Sequence, residues 1–175
     1  LWWRWRFRRL VMWQRIWCNL FSSWFQLVRW FPKNKMRNIR DIIAGGELHH
    51  AGELCFAVEA RFSLLALLNG LTTRSRAEQV FSDLRIWNTQ DNSGVLVYLQ
   101  LAEHKIEIVA DRGIAQMVPQ AMWQALCSAF SMDMREKTPD QAVIACLEQI
   151  NRLLTEYFPA ATINNNELPD EPVIL

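Results

Sequence analysis

No Asp or Glu occurs in the first 40 residues, although ten Arg and Lys and seven of the nine Trp fall there. The rest of the chain holds nine basic residues against eighteen acidic ones, so a formal net charge of +1 conceals a basic, Trp-rich arm on an acidic body. Long apolar runs are also missing. A bilayer span needs roughly 18–20 apolar residues, and the best stretch, 16–28, is interrupted by Asn19, Ser22, Ser23 and Gln26. A signal peptide fits poorly: Arg29, Lys33, Lys35 and Arg37 follow the apolar part, with no small-residue cleavage site. The chain opens on Leu1, which reads as a start lost or cut away. The four Cys (18, 55, 127 and 146) form no C-x-x-C and no zinc spacing. They read as buried, reduced thiols suited to the cytoplasm. There is no P-loop, no G-x-G-x-x-G and no G-x-S-x-G, so nucleotide-phosphate cradling and serine-nucleophile chemistry have no support. No internal repeat is present.

Periodicity supplies the elements. Trp13, Trp17, Leu20, Trp24, Leu27 and Phe31 recur in steps of three and four, predicting one helix from Met12 to Phe31. Phe31-Pro32 ends it. A second helix carries Met36, Ile39 and Ile43 inward and loosens at Gly45-Gly46. Strands are expected at Glu53–Ala60, at the nearly all-apolar Gly94–Leu101 and at the alternating Lys105–Ala110. Leu64–Leu71 reads as a short helical turn. Ser75-x-x-Glu78 is a capping box opening a helix with Ala77, Val80, Phe81 and Leu84 inward. A helix over Pro119–Met132 should turn Met122, Leu126, Ala129 and Phe130 inward. Thr138-Pro139-Asp140-Gln141 caps a last helix striped by Val143, Leu147, Ile150 and Leu154. The residues after 163 read as a polar tail.

This order predicts an α/β fold: a small mixed sheet sandwiched between helices, with an N-terminal amphipathic helix. The expected divisions are a basic Trp-rich arm (1–31), an α/β domain (32–159) and an extended tail (160–175). The first two strands should be parallel and the second and third a hairpin. That topology places Glu53, the 88–94 loop and Asp111 on one rim of the sheet. Asp111, Asp91, Glu53 and His50 are therefore candidate ligands for calcium or another divalent cation, and such carboxylates beside a metal suit activation of water against a phosphate ester. A turn-and-cap reading stands beside it, since Asp91-Asn92-Ser93-Gly94 and Asp111-Arg112-Gly113 are ordinary turn compositions. Adjacent His49 and His50 would point about 100° apart in a helix and share one ion poorly.

The body resembles the TPM domain family. The residues that carry the likeness are Glu47-x-x-His50-x-Gly52-Glu53, Ala77-x-x-Val80-Phe81-x-x-Leu84, Thr89-x-x-x-Ser93-Gly94-Val95-Leu96-Val97-Tyr98-Leu99 and Glu107-Ile108-Val109-Ala110-Asp111-Arg112-Gly113-Ile114. Trp123 and Tyr157-Phe158-Pro159 also fit the family, and the tail Asn166-Glu167-Leu168-Pro169-Asp170-x-Pro172-Val173 is similar to short bacterial members. The resemblance implies an α/β sandwich, phosphatase activity in some relatives, calcium at the sheet rim in some, and recurrent membrane association. The loop expected after the third strand, 114–120, carries no acid, where better-described members have a Gly-rich, Glu-bearing one.

Two function classes follow. One is a membrane-surface accessory or interaction domain, peripheral at the cytoplasmic face of the inner membrane. There Trp13, Trp17 and Trp24 would meet the interface and Arg15 and Arg29 the headgroups. Its partner is an anionic membrane surface, with a membrane protein as a second candidate. The same stripe would also suit packing on the body or on a second copy. The other class is a metal-dependent, phosphatase-like hydrolase using the rim acids. Neither a nucleic-acid motif nor a small-molecule substrate is identified.

Overall fold

The computed structural model describes residues 12–20, 24–160 and 166–175. Its centre is β2 (Gly94–Gln100), buried at every position. Seven residues with no charge among them can occupy such a place, because neither face meets water. β2 pairs in parallel with β1 (Glu53–Glu59), Glu53 opposite Gly94, and antiparallel with β3 (Lys105–Ala110), Val95 opposite Ala110. The expected mixed sheet is thus present, with the expected register of directions.

The tail, expected as merely extended, adds a fourth strand. β4 (Val173–Ile174) runs parallel to β1, completing the order β3-β2-β1-β4. The three apolar residues after Pro172 are too short a run to show a strand periodicity. What places them is the open edge of β1, whose Val58 carbonyl accepts the Leu175 N–H at 3.0 Å.

Alternation on the strands splits the core into two layers. Leu54, Phe56, Val58, Val95, Val97 and Leu99 meet α3 (Lys33–Glu47), α7 (Gln120–Glu136) and α8 (Pro139–Tyr157) through Ile39, Ile43, Leu126, Phe130, Leu147 and Ile150. Cys55, Ala57, Leu96 and Tyr98 meet α4 (Leu64–Leu68) and α5 (Thr73–Asp83) through Leu67, Ala77 and Val80. The predicted stripe of α8 lies wholly in the first layer, and its Thr138–Gln141 capping box forms as expected.

The helix expected over 12–31 is present where described, as α1, residues 12–20, and α2, Trp24–Trp30; positions 21–23 lie outside the described residues. Other expectations are corrected. Leu27 and Phe31 are in the main core, so packing does not break at residue 31. α3 runs through Gly45-Gly46, and Gly46 serves close approach: a Cβ there would lie 2.2 Å from Asn151 Cγ. The box opening α5 is Thr72 with Ser75, one turn earlier than expected, because Glu78 is engaged by Arg74 at 2.8 Å. The stretch 114–120 is not all loop. Asp111 caps α6 (Arg112–Met117), which drives Ile114 and then Val118 into the core. In α7 the inward place next to Met122 belongs to Trp123. Of the thiols, Cys55 and Cys146 are buried and pushed up to about 12 by that burial, but Cys18 is exposed and Cys127 half-buried.

Gly94 sets the start of β2. A Cβ there would lie 2.0 Å from the backbone oxygen of Ile86, which cannot swing aside as a side chain would. Gly94→Ala should therefore lower stability by about 1–3 kcal/mol or more. An unchanged thermal midpoint would show that the Ile86 turn yields freely.

Candidate functional site

The three polar segments converge on one rim. The Glu53 N–H donates to Ser93 O at 3.0 Å, and the Asp111 N–H to Gly94 O at 2.8 Å. The 89–92 loop is held against the start of α6 by Arg112, whose guanidinium donates to Asn92 Oδ1 at 2.9 and 3.1 Å, and by the Gly113 N–H on Asn92 O at 3.1 Å. Gly113 permits this approach, since a Cβ would fall 2.3 Å from Asp91 O.

Convergence of backbone is not convergence of ligands. Asp91 is exposed. Asp111 spends Oδ1 on the Arg112 N–H at 2.7 Å, as a helix cap, while its Oδ2 is buried with no partner among the described residues. His50 is fully buried: Nδ1 lies 3.0 Å from Gly52 O and Nε2 3.2 Å from Asn151 Oδ1, so neither ring nitrogen is turned to the rim. Burial lowers its pKa. Among the described residues, no three His, Cys, Asp or Glu side chains gather as a metal-holding group.

Glu53 is met instead by the tail. Its Oε2 accepts the N–H groups of Glu167 and Leu168, each at 3.1 Å, and Glu167 in turn accepts the Gln90 N–H at 2.8 Å. The tail thereby straps the rim where the ligands were expected. Beside it lies Glu47, whose Oε1 accepts the Leu54 N–H at 2.8 Å. Burial, with Glu53 and Asp170 close by, raises the Glu47 pKa to about 8. Glu47 opens the sequence motif that carries the family likeness, but its raised pKa follows from its position at the end of α3 facing β1.

This shift has a stability consequence. The folded state binds a proton on Glu47 that the unfolded chain releases near the ordinary value of 4.5. Its contribution is then full below about 4.5 and falls as pH rises toward about 8. Glu47→Gln keeps an oxygen for Leu54 and removes the titration. Its melting temperature should exceed the parent's at pH 8 and show a flatter slope between the two values. Parallel pH profiles would refute the assignment.

At the opposite end of β1, sequence reasoning missed a second charged group. Glu59 Oε2 accepts Arg76 Nε at 2.9 Å and the buried Tyr98 hydroxyl at 2.5 Å. Burial first, and Glu59 second, push the Tyr98 pKa up. The parallel β1-α5-β2 arrangement was the available signal, since it brings the ends of β1 and β2 beside the start of the crossover helix.

The first helix of the arm, α1, docks through Arg15 and Asn19, with Ile16 packed beside them against the second core layer. Asn19, 2% exposed, accepts the Phe62 N–H at 2.6 Å and Gln100 Nε2 at 3.0 Å on Oδ1, and gives Nδ2 to Arg15 O at 2.9 Å and Glu103 at 3.2 Å. Arg15 pairs with Glu103 at 2.7 Å and caps Leu71 O at 2.9 Å. It therefore faces the body, not the flank of an outward surface as expected. Arg29 is exposed and lies over the Trp30 ring. With these side chains inward, the stripe turns out: Trp13, Trp17 and Leu20 are 60%, 57% and 54% exposed. The Trp24 side chain and the basic run before residue 12 lie outside the described residues.

Asn19→Ala removes partners from a buried backbone N–H and a buried amide. It should cost about 1–3 kcal/mol in denaturant titration. A cost near zero would mean that α1 is not held by this residue.

Against known proteins, the family model described as the TPM domain matches residues 49–153. The chain is similar in structure to the BA42 protein of the psychrophilic bacterium Bizionia argentinensis, solved by NMR. The TM-score is 0.71 at 24% identity, covering 81% of this chain and 93% of that one, a likeness of fold. A search of curated proteins found no match.

Proposed function

This chain belongs to the TPM domain family, and on that premise we propose that it is a membrane-surface accessory domain, held peripherally on anionic lipid by its N-terminal arm. The observation that carries the reading is the outward stripe of α1. With Asn19 buried, Arg15 half-buried and Ile16 on the core, α1 turns its largest apolar side chains, Trp13, Trp17 and Leu20, to the surface, against the usual orientation of an amphipathic helix on its own domain. Trp suits the headgroup boundary, and ten basic residues without an acid in the first 40 suit anionic lipid. Each basic residue near such a surface contributes about 1 kcal/mol, so part of the set suffices for attachment. Among the described residues no helix is long and apolar enough to cross a membrane, which accords with lying on the surface. The cytoplasmic face of the inner membrane is the location we assign, and a membrane protein there is a further candidate partner. A hydrolase using Glu53, Asp91 and Asp111 has less support, because the tail occupies the Glu53 carboxylate.

Co-sedimentation with vesicles tests the proposal. The full chain should pellet with phosphatidylserine-containing vesicles, weakly with phosphatidylcholine alone, and less in high salt. Trp13→Ala with Trp17→Ala should weaken pelleting about tenfold, on the basis of two large apolar groups returned to water. Point variants are preferable to deleting residues 1–31, which would also remove Leu27 and Phe31 from the core. Equal pelleting with neutral and anionic vesicles, unaltered by the substitutions, would reject this role.

A further inference from the structure

We propose that α4 is a second lipid-contact element, set beside α1 so that both enter the same anionic bilayer face; this rests on the membrane-surface reading. The helix Leu64-Leu65-Ala66-Leu67-Leu68 has four Leu in five positions, but only Leu67 is buried. Leu65 and Leu68 are 70% and 58% exposed, and Leu64 is nearly half exposed. At 100° per residue, Leu64, Leu68 and Leu65 fall within one arc of about 100°, with Leu67 outside it. Ser63 fixes that rotation by accepting the Ala66 N–H at 3.2 Å. Three leucines on one turn facing water is a cluster, unlike the scattered apolar residues of an ordinary surface.

Two observations select lipid as the occupant. The first is continuity with the arm. Leu20 of α1 and Leu64 of α4 line the same groove, of about 340 Å³, with Ile16 and Leu67 at its base and Arg61 beside it. The second is charge. Residues 60–77 contain three Arg and no Asp or Glu; Arg74 and Arg76 are paired with Glu78 and Glu59, and the exposed Arg61, which lines the groove, is the cation beside α4. An apolar turn beside the exposed Arg61 fits an anionic interface, where leucine enters the acyl boundary and arginine stays with the headgroups. The Asn19 bond to the Phe62 N–H, two residues before α4, ties the two elements into one platform.

The test uses the full chain with phosphatidylserine-containing vesicles. Leu65→Ser with Leu68→Ser should lower vesicle affinity about tenfold, by the apolar area withheld from lipid, and leave the melting temperature unchanged. Leu48→Ser is the control, another exposed leucine but near the opposite end of β1, and it should bind like the parent. Should the double variant fail to fold, Leu65→Gln alone makes the same comparison. Parent binding that is lost with the Trp13 and Trp17 substitutions but kept in the α4 variant would overturn this inference and leave the function reading standing. A parent that does not bind anionic vesicles would overturn both. A parent dimer in sedimentation velocity, broken by the α4 substitutions with pelleting unchanged, would assign the leucines to a second copy and reject the lipid role.

Discussion

The carboxamide of Asn19 holds the arrangement together. It lies in a region where water cannot compensate a lost bond, and it joins four partners: the start of α4 through Phe62, the end of β2 through Gln100, the hairpin through Glu103, and its own helix through Arg15. A polar group so buried must be satisfied, and satisfying it fixes the rotation of α1 about its axis. Once that rotation is set, the tryptophan stripe has nowhere to go but outward. The same clamp leaves Glu103, 3% exposed at its side chain, facing Arg15, Thr73 and Lys105, a buried carboxylate with its partners in place.

The two ends of β1 have different characters for a related reason. At its start, carboxylates are drawn together by the parallel register and by the tail, and burial first, with Glu53 and Asp170 close by, raises the Glu47 pKa. Backbone N–H groups of the tail supply Glu53 with the donors that an ion would otherwise replace. At its end, Glu59 meets a cation and a phenol. Beyond that end the chain is basic and apolar through α4, so one molecule presents an acid-strapped rim and a cationic, leucine-bearing edge.

Much of the fold was readable because its signals are local. The uncharged run of β2, the alternation of β3 and the Thr138–Gln141 cap each declare themselves within a few residues. The corrections share another cause. α6 is too short for periodicity, and its Asp111 cap resembles a turn. β4 has two residues and forms only because β1 offers an edge. The rim was located correctly by topology, but the sequence does not say that Glu53 will be met by a segment 114 residues later. The missed Glu59–Arg76–Tyr98 group depends likewise on contacts 17 and 39 residues apart.

What the sequence alone determined is the composition of each surface: an arm without acids, an acidic body, one uncharged and nearly all-apolar strand and helices whose stripes fit its two faces. Those properties follow from residue type and spacing, which are fixed before folding. Tertiary structure decided orientation. An amphipathic helix has two faces, and periodicity marks them without saying which one the domain will take. The choice fell to a few buried hydrogen bonds from Asn19 and Arg15, whose partners lie 43–88 residues away and exist as partners only once the sheet has formed.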